Sequence, residues 1–310
     1  MNVVFMGTPE FAVEALSSIL KSGHKVTAVF TQTDKPQGRK MVMTPPPVKL
    51  FALERDIPVY QPTTLKDLQV FETIRQINPD VIVVVAYGKM LPENILKYPK
   101  RGCINVHASL LPRHRGASPI QWSIVCGDHK TGVTTMMMDV GMDTGDMLLK
   151  SETEIRPEDT ADTLHDRLKV MGAQLISETL SRIENEGITP IKQSENEATY
   201  APIIKREMGE IDFSKTAQEI NNLVRGFYPW PAAYIKTADG KRLKVFSVSV
   251  SGYTELAAAT VVENEGRLVV ACGGNTSVEL LEVQPEGKNR MTAQSLLNGY
   301  KIEKGSKICE

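Results

Sequence analysis

Asn105 and His107 are separated by one residue at the end of a strand-like run. Because side chains alternate along a strand, both are expected on one face, where they can address the same bound group. A carboxamide beside an imidazolium can stabilise the oxyanion that forms when a neutral amine attacks a formyl carbon, and histidine can also donate a proton. The pair is suited to such a transfer, but the same spacing also fits a purely structural histidine.

Three aspartates follow in one stretch, Asp139, Asp143 and Asp146. A buried carboxylate close to His107 would hold the imidazole in its cationic form and help to remove the proton from the attacking amine, through a water molecule. Asp139 and Asp146 also fit roles as loop caps or strand-end hydrogen-bond acceptors. The residues alone therefore leave the choice of carboxylate open.

An α/β scaffold is predicted to position these groups. Strands are predicted at residues 2–6, 25–31, 80–86, 102–107 and 132–139, and a helix at 163–186. The run at 80–86 is rich in β-branched residues, which is typical of a parallel strand buried on both faces. With helical spacing between the strands, this order predicts a Rossmann-like, mostly parallel sheet with helices on both faces.

A second, smaller domain is predicted after the polar stretch at residues 193–200. Short alternating runs separated by turn residues indicate a small antiparallel barrel or sandwich. We expect a catalytic domain over residues 1–189, a linker over 190–207, and a C-terminal antiparallel, OB-like β-barrel over 208–310.

The composition excludes several classes of protein. The 310 residues carry a net charge of -1, so any contact with RNA must be local. No C-x-x-C or H-E-x-x-H motif is present, and we expect neither a zinc site nor a disulfide framework. No apolar run is long enough to cross a bilayer, and the opening strand ends at Gly7 and Pro9 without a secretory signal, so a cytoplasmic location is expected.

The segment after His107 carries a family signature. The motifs Ser109-Leu110-Leu111-Pro112, Arg115-Gly116 and Pro119-x-x-Trp122, with the later aspartate run, resemble the active site of the folate-dependent formyltransferases. The resemblance implies that Asn105, His107 and Asp143 are catalytic, that 10-formyltetrahydrofolate is the co-substrate, and that no metal takes part. The folate-binding residues that it implies are Ser109, Leu110, Leu111, Pro112, Tyr87, Gly88, Lys89, Met90 and Leu91. Arg113 and His114 are expected at exposed loop positions.

Two further segments bear on the acceptor. A long loop at residues 32–47 looks like the insertion that family members acting on methionyl-tRNA place against the acceptor stem. It implies that Lys35, Arg39 and Lys40 bind tRNA, since such side chains pair with phosphates and base edges. The C-terminal half also resembles the barrel of these members. The implied reaction is formylation of the α-amino group of initiator methionyl-tRNA, and we expect a monomer with no membrane partner.

Two alternatives stay open. A formyltransferase acting on a sugar-nucleotide amine shares the Asn-His-Asp motif and a barrel-like appendage, although the loop with Arg39 favours tRNA. A non-catalytic RNA-binding protein would use Asn105 and His107 only structurally. The His107→Ala variant distinguishes the enzyme hypothesis from the RNA-binding hypothesis, because the variant can lose formyl transfer only if the protein is an enzyme.

Overall fold

A computed structural model describes residues 1–38, 41–237 and 240–309 of the chain. The chain divides into two compact units. The first consists of Met1–Pro119, Lys130–Glu154 and His165–Ala201, and the second of Ile120–His129, Ile155–Leu164 and the residues from Pro202 onward. The second unit therefore combines the C-terminal part of the chain with two short segments from the N-terminal half and the middle of the sequence.

The strands and helices are numbered along the chain. The strands are β1 (Asn2–Gly7), β2 (Lys25–Phe30), β3 (Lys35–Gln37), β4 (Val42–Thr44), β5 (Val59–Tyr60), β6 (Val81–Val85), β7 (Cys103–His107), β8 (Arg115–Gly116), β9 (Lys130–Met137), β10 (Met147–Glu154), β11 (Tyr200–Ala201), β12 (Ala233–Lys236), β13 (Arg242–Tyr253), β14 (Val261–Glu263), β15 (Leu268–Cys272), β16 (Thr276–Pro285) and β17 (Met291–Thr292). The helices are α1 (Glu10–Lys21), α2 (Pro47–Leu53), α3 (Leu68–Ile77), α4 (Glu93–Leu96), α5 (Pro119–Val125), α6 (Ala161–Asn185), α7 (Ala217–Gly226) and α8 (Ala293–Gly299), with short 3₁₀ segments at Glu195–Glu197 and Arg206–Gly209. Within the described ranges, no helix combines the length and apolar character that crossing a bilayer requires.

A seven-stranded sheet forms the centre of the first unit, in the order β10-β9-β7-β6-β1-β2-β5. The strands from β7 to β5 in this order pair in parallel, whereas β9 pairs antiparallel with both β7 and β10. β6 is buried along its whole length, as expected for a β-branched strand at the centre of a covered sheet. The prediction of a mostly parallel, Rossmann-like sheet is confirmed.

Helices cover this sheet on both faces. Val4 of β1 shares a buried cluster with Ile74 of α3 and Ile95 of α4. On the face that carries Val106 of β7, a Cβ atom added at Gly172 of α6 would lie 3.1 Å from Val106 Cγ1. The absence of a side chain at Gly172 thus lets the backbone of α6 pack closely against β7.

The second unit has its own core around an antiparallel sheet. The strand order is β12-β13-β16-β15-β14, with β17 paired to β16. Helix α7 begins with a capping box, in which the side chains of Thr216 and Glu219 each accept a hydrogen bond from the other residue's main-chain N–H. Ile220 and Val224 of this helix pack in one buried cluster with Val245 of β13. The predicted C-terminal antiparallel β domain is confirmed.

Candidate active site

His107 lies at the end of β7 and is 6% exposed. Its Nδ1 atom is 3.7 Å from Oδ2 of Asp143. Cys103, at the start of the same strand, packs in the cluster that contains residues of α3 and α4. Because side chains alternate along the strand, Asn105 and His107 lie on the same face as Cys103. The structure thus brings His107 and Asp143 together and places Asn105 on the face of His107.

The other imidazole nitrogen, Nε2, is 2.9 Å from the main-chain oxygen of His114. A carbonyl oxygen only accepts hydrogen bonds, so Nε2 donates this one, and Nδ1 is the nitrogen that faces Asp143. The main-chain N–H of His114 donates in turn to Thr199 Oγ1, at 2.8 Å. The prediction that His114 is exposed is wrong, since it is 4% exposed. Sequence reasoning missed this contact because His114 acts through its main chain.

The Asn105 side chain is half-buried and has no hydrogen-bond partner among the described residues. Its backbone is fixed on both sides, because Asn105 pairs with Val84 of β6 and with Met136 of β9. The strand therefore holds the carboxamide in place while its two N–H donors and its oxygen stay available to a ligand.

Of the three candidate aspartates, Asp143 is the one whose carboxylate lies beside His107. Its Oδ2 atom also accepts a hydrogen bond from the main-chain N–H of Gly116, at 2.8 Å. Asp139 has the alternative role of a loop cap, because its Oδ1 atom accepts a hydrogen bond of 2.7 Å from Thr144 Oγ1. The geometry therefore favours Asp143 over Asp139 as the partner of His107.

The backbone of the loop that carries Asp143 is unusual. Asp143 has a φ of 55°, in the left-handed region that costs a residue other than glycine about 1 kcal/mol or more. At the end of the loop, the main-chain oxygen of Asp146 accepts a hydrogen bond of 2.8 Å from Met137 N. Asp146 therefore fits its alternative role as a hydrogen-bond acceptor at the end of a strand. The left-handed conformation at Asp143 must be stabilised by the residues around it.

Gly116, whose N–H binds the Asp143 carboxylate, lies where there is no room for a side chain. Its φ is 119°, and an added Cβ atom would lie 2.7 Å from the main-chain oxygen of Ala201. We expect Gly116→Ala to lower the free energy of unfolding by about 3 kcal/mol, because backbone strain and a steric clash combine. Gly23→Ala is the matched control, since Gly23 also has a positive φ but no atom within 4 Å of an added Cβ, and it should cost about 1 kcal/mol. Urea denaturation measures both, and equal losses would contradict the role of the clash.

Most of the predicted folate-binding segment 109–112 is buried. Ser109 Oγ donates to the main-chain oxygen of Arg113 at 2.6 Å, so the Ser109 side chain stabilises its own turn. Thr134 of β9 donates to the main-chain oxygen of Ser109, at 2.7 Å. Leu111 packs in a small buried cluster, and Leu110 remains partly exposed. Leu110 is therefore the side chain of this segment with the most surface to offer a ligand.

The second predicted folate-binding segment, residues 87–91, follows β6. Tyr87 and Leu91 are core residues of the first unit, whereas Gly88 and Met90 are exposed. Burial raises the pKa of the Tyr87 hydroxyl to about 12, so this group stays neutral. Lys89 donates to the main-chain oxygen of Thr63 at 2.9 Å. A ligand at this edge would meet Gly88 and Met90 rather than the Tyr87 side chain.

The segment 32–47 was predicted to be a loop, and this is wrong in part because β3 and β4 form an antiparallel hairpin. Asp34, before the hairpin, accepts hydrogen bonds from Lys49 Nζ at 2.9 Å and from Gln61 Nε2 at 2.8 Å. Lys35 is exposed at the start of β3. Arg39 and Lys40, the other two predicted tRNA-binding residues, lie outside the described residues.

The residues present fit a flat heterocycle. Such a ligand needs apolar surface and a few polar atoms. The partly exposed Leu110 and the exposed Met90 offer the first, and the unpaired Asn105 carboxamide offers the second. The segments concerned follow β6 and β7, which are adjacent and parallel, so they leave the sheet at one edge, where ligands bind in open α/β folds. A separate cavity of about 710 Å³ is lined by residues that include Lys25, at the start of β2, and by none of Leu110, Met90 and Asn105.

Comparison with known proteins gives matches over nearly the whole chain. The formyl transferase family model matches residues 1–180, and the model of the formyl transferase C-terminal domain matches residues 203–301. A methionyl-tRNA formyltransferase of Alkaliphilus oremlandii is 49% identical, with 100% of both chains covered. One of Geobacter metallireducens is 46% identical and covers 99% of this chain and 98% of its own.

Two solved structures show the same fold at low sequence identity. An N-formyltransferase from Helicobacter canadensis, in complex with folinic acid and dTDP-3-aminofucose, is 20% identical with a TM-score of 0.68, covering 91% of this chain and 98% of that one. HypX from Aquifex aeolicus, in complex with tetrahydrofolic acid, is 14% identical with a TM-score of 0.59, covering 95% of this chain and 46% of that one.

Proposed function

Because this chain belongs to the formyl transferase family, we propose that it transfers the formyl group of 10-formyltetrahydrofolate to the α-amino group of initiator methionyl-tRNA. The observation that carries the chemistry is the approach of His107 Nδ1 to Asp143 Oδ2, at 3.7 Å, on the face that also carries the unpaired Asn105 carboxamide. The choice of acceptor is supported by relatives of 45–49% identity over nearly their full length that are named methionyl-tRNA formyltransferases.

In the proposed mechanism, Asn105 and His107 stabilise the oxyanion that develops when the neutral methionyl amine attacks the formyl carbon. His107 uses Nδ1 for this purpose, since its Nε2 proton is held by the main-chain oxygen of His114. The 3.7 Å between Nδ1 and Asp143 exceeds a normal hydrogen bond, so a proton on Nδ1 is not committed to Asp143 and can be donated to an oxyanion placed beside this atom. Preorganised donors of this kind favour the charge that appears in the transition state.

Asp143 serves as the acceptor for the proton that the attacking amine must lose. The carbon–nitrogen bond to the methionyl amine forms first and turns the formyl oxygen into the oxyanion. The oxyanion then collapses, the bond from the formyl carbon to the donor nitrogen breaks, and that nitrogen takes up the proton as tetrahydrofolate leaves. Because Asp143 Oδ2 and His107 Nδ1 are 3.7 Å apart, no direct hydrogen bond joins them, and the proton would travel through a water molecule. The hydrogen bond from Gly116 N to Asp143 Oδ2 supports this role, because it keeps the carboxylate directed at the site.

The proposal includes parts for both halves of the chain. Residues 1–189 would carry out formyl transfer, 190–207 would link the two halves, and the β-barrel at 208–310 would bind tRNA. In the first part, Ser109–Pro112 and Tyr87–Leu91 would hold the folate. We propose a monomer in the cytoplasm, where initiator tRNA is used.

One assay tests the reaction. Purified protein is incubated with 10-formyltetrahydrofolate and charged initiator methionyl-tRNA, and the released amino acid is analysed for formyl-methionine. A parallel reaction contains an amino-sugar nucleotide in place of the tRNA. Formylation of the tRNA alone supports the proposal, whereas formylation of the sugar alone would show that the amino-sugar nucleotide is the acceptor and would contradict the proposal.

Arg39 provides a prediction on acceptor recognition. We expect Arg39→Ala to lower kcat/KM for methionyl-tRNA by about 10- to 100-fold, since loss of a good contact to phosphate or base costs about 1–3 kcal/mol, and to leave tetrahydrofolate binding unchanged. Arg55→Ala is the matched control, because Arg55 is an exposed arginine that pairs with Glu54. An equal effect of Arg39→Ala on a small amine acceptor would argue against contact with tRNA.

A further inference from the structure

A glutamine side chain holds the main chain of the loop that carries Asp143. Gln193 Nε2 donates hydrogen bonds to the main-chain oxygens of Asp143, at 2.8 Å, and of Gly145, at 2.7 Å. Gln193 Oε1 accepts a hydrogen bond of 2.9 Å from Nε of Arg115. One amide therefore ties the loop on both sides of Thr144 to the strand β8.

Arg115 determines which way this amide points. A guanidinium group only donates hydrogen bonds, so the amide oxygen of Gln193 must face Arg115 and the amide nitrogen must face the loop. Arg115 is itself fully buried, and its two terminal nitrogens donate to the carboxylate of Glu195 at 3.0 and 2.9 Å. Such a two-pronged pair has a fixed geometry, and it therefore fixes the orientation of Gln193.

We propose that Gln193 is a positioning residue for Asp143 and that Arg115 orients it. Asp143 has a φ of 55°, which a free loop would not hold without cost. The two hydrogen bonds from Gln193 fix the main chain at this residue, and the N–H of Gly116 fixes its carboxylate. This inference rests on the proposed function, because it requires Asp143 to take part in formyl transfer.

The test is a double-mutant cycle between residues 193 and 143. Single-turnover rates are measured with enzyme in excess for the original protein, Gln193→Ala, Asp143→Asn and the double variant. We expect Gln193→Ala to lower the rate by about 10- to 100-fold, the usual effect of removing a group that orients a functional one, with the KM for 10-formyltetrahydrofolate unchanged. When residue 143 is asparagine, the same change should cost less than about twofold, because the two residues act as one unit.

Two further variants complete the design. Gln193→Glu keeps the shape of the side chain and the acceptor for Arg115 but loses both donors to the loop. It should lower the rate as much as a folded Gln193→Ala variant does, and it provides the test if Gln193→Ala folds poorly. Gln69→Ala is the matched control, since Gln69 is an exposed glutamine on α3, and it should leave the rate unchanged. Thermal unfolding shows whether each variant is folded.

The outcomes separate this inference from the proposed function. An equal loss from Gln193→Ala in both backgrounds, or a loss confined to KM, would overturn the positioning role. A full rate for Gln193→Ala beside an impaired Asp143→Asn would refute the positioning role alone. A full rate for Asp143→Asn would refute both the inference and the proposed role of Asp143.

Discussion

Replacing His107 by alanine is expected to lower the single-turnover rate of formyl transfer by about 100- to 1,000-fold, the usual effect of removing one oxyanion donor. The imidazole is nearly buried, its Nε2 atom donates to the main-chain oxygen of His114, and Nδ1 is the atom that the proposed mechanism uses. Binding of tetrahydrofolate should change little, because in the proposed mechanism the imidazole stabilises charge that appears only in the transition state. Rapid-quench measurements of formyl-methionine, combined with calorimetric titration of tetrahydrofolate, test both statements.

The control for this variant is His129→Ala, because His129 is an exposed histidine in the other compact unit. It should retain the original rate. If His107→Ala weakened tetrahydrofolate binding and left the rate of the bound complex unchanged, His107 would be a binding residue and the proposed mechanism would be wrong.

Asp143→Asn is expected to lower the rate by about 100- to 10,000-fold, the range for loss of a general acid or base. Asparagine is nearly the same size as aspartate and tolerates the left-handed backbone at this position. Its side-chain oxygen can still accept the hydrogen bond from Gly116. The variant therefore removes the carboxylate that is the proposed proton acceptor while the loop is preserved.

Asp139→Asn is the matched control, since Asp139 lies in the same loop and caps it through its hydrogen bond from Thr144. An asparagine can accept that bond as well, so the rate should fall by less than about threefold, in keeping with a loss of a few tenths of a kcal/mol. A larger loss for Asp139→Asn than for Asp143→Asn would exchange the roles of the two residues.

The central strands and the position of the histidine could be predicted from the sequence because they depend on local patterns. The β-branched run ending at Val85 and the alternation that puts Asn105 and His107 on one face each involve a few consecutive residues. The hairpin of β3 and β4 could not be predicted, because the prolines and glycine of this segment also fit an irregular loop.

The remaining parts of the site depend on contacts between distant residues. The distance from His107 to Asp143 follows from the antiparallel register of β7 and β9 and from a loop whose conformation has no sequence signature. Arg115 and Gln193 are 78 positions apart, and neither belongs to a recognisable motif with the other. His114 contributes a main-chain oxygen, which any residue type could supply. Such contacts become visible only in three dimensions.

The pairing of β8 with β11 has a consequence for the order of events during synthesis. Tyr200 of β11 pairs with Arg115 of β8, and Gln193 lies just upstream of β11. A nascent chain that has emerged only as far as Asn185, the end of α6, already contains every strand of the seven-stranded sheet. Such a chain lacks Gln193, which binds the main chain of the Asp143 loop, and β11, which pairs with β8. Both are present only after Ala201 has left the ribosome. Since domains fold as units while the chain grows, the sheet can form well before the loop that carries Asp143 is held in place.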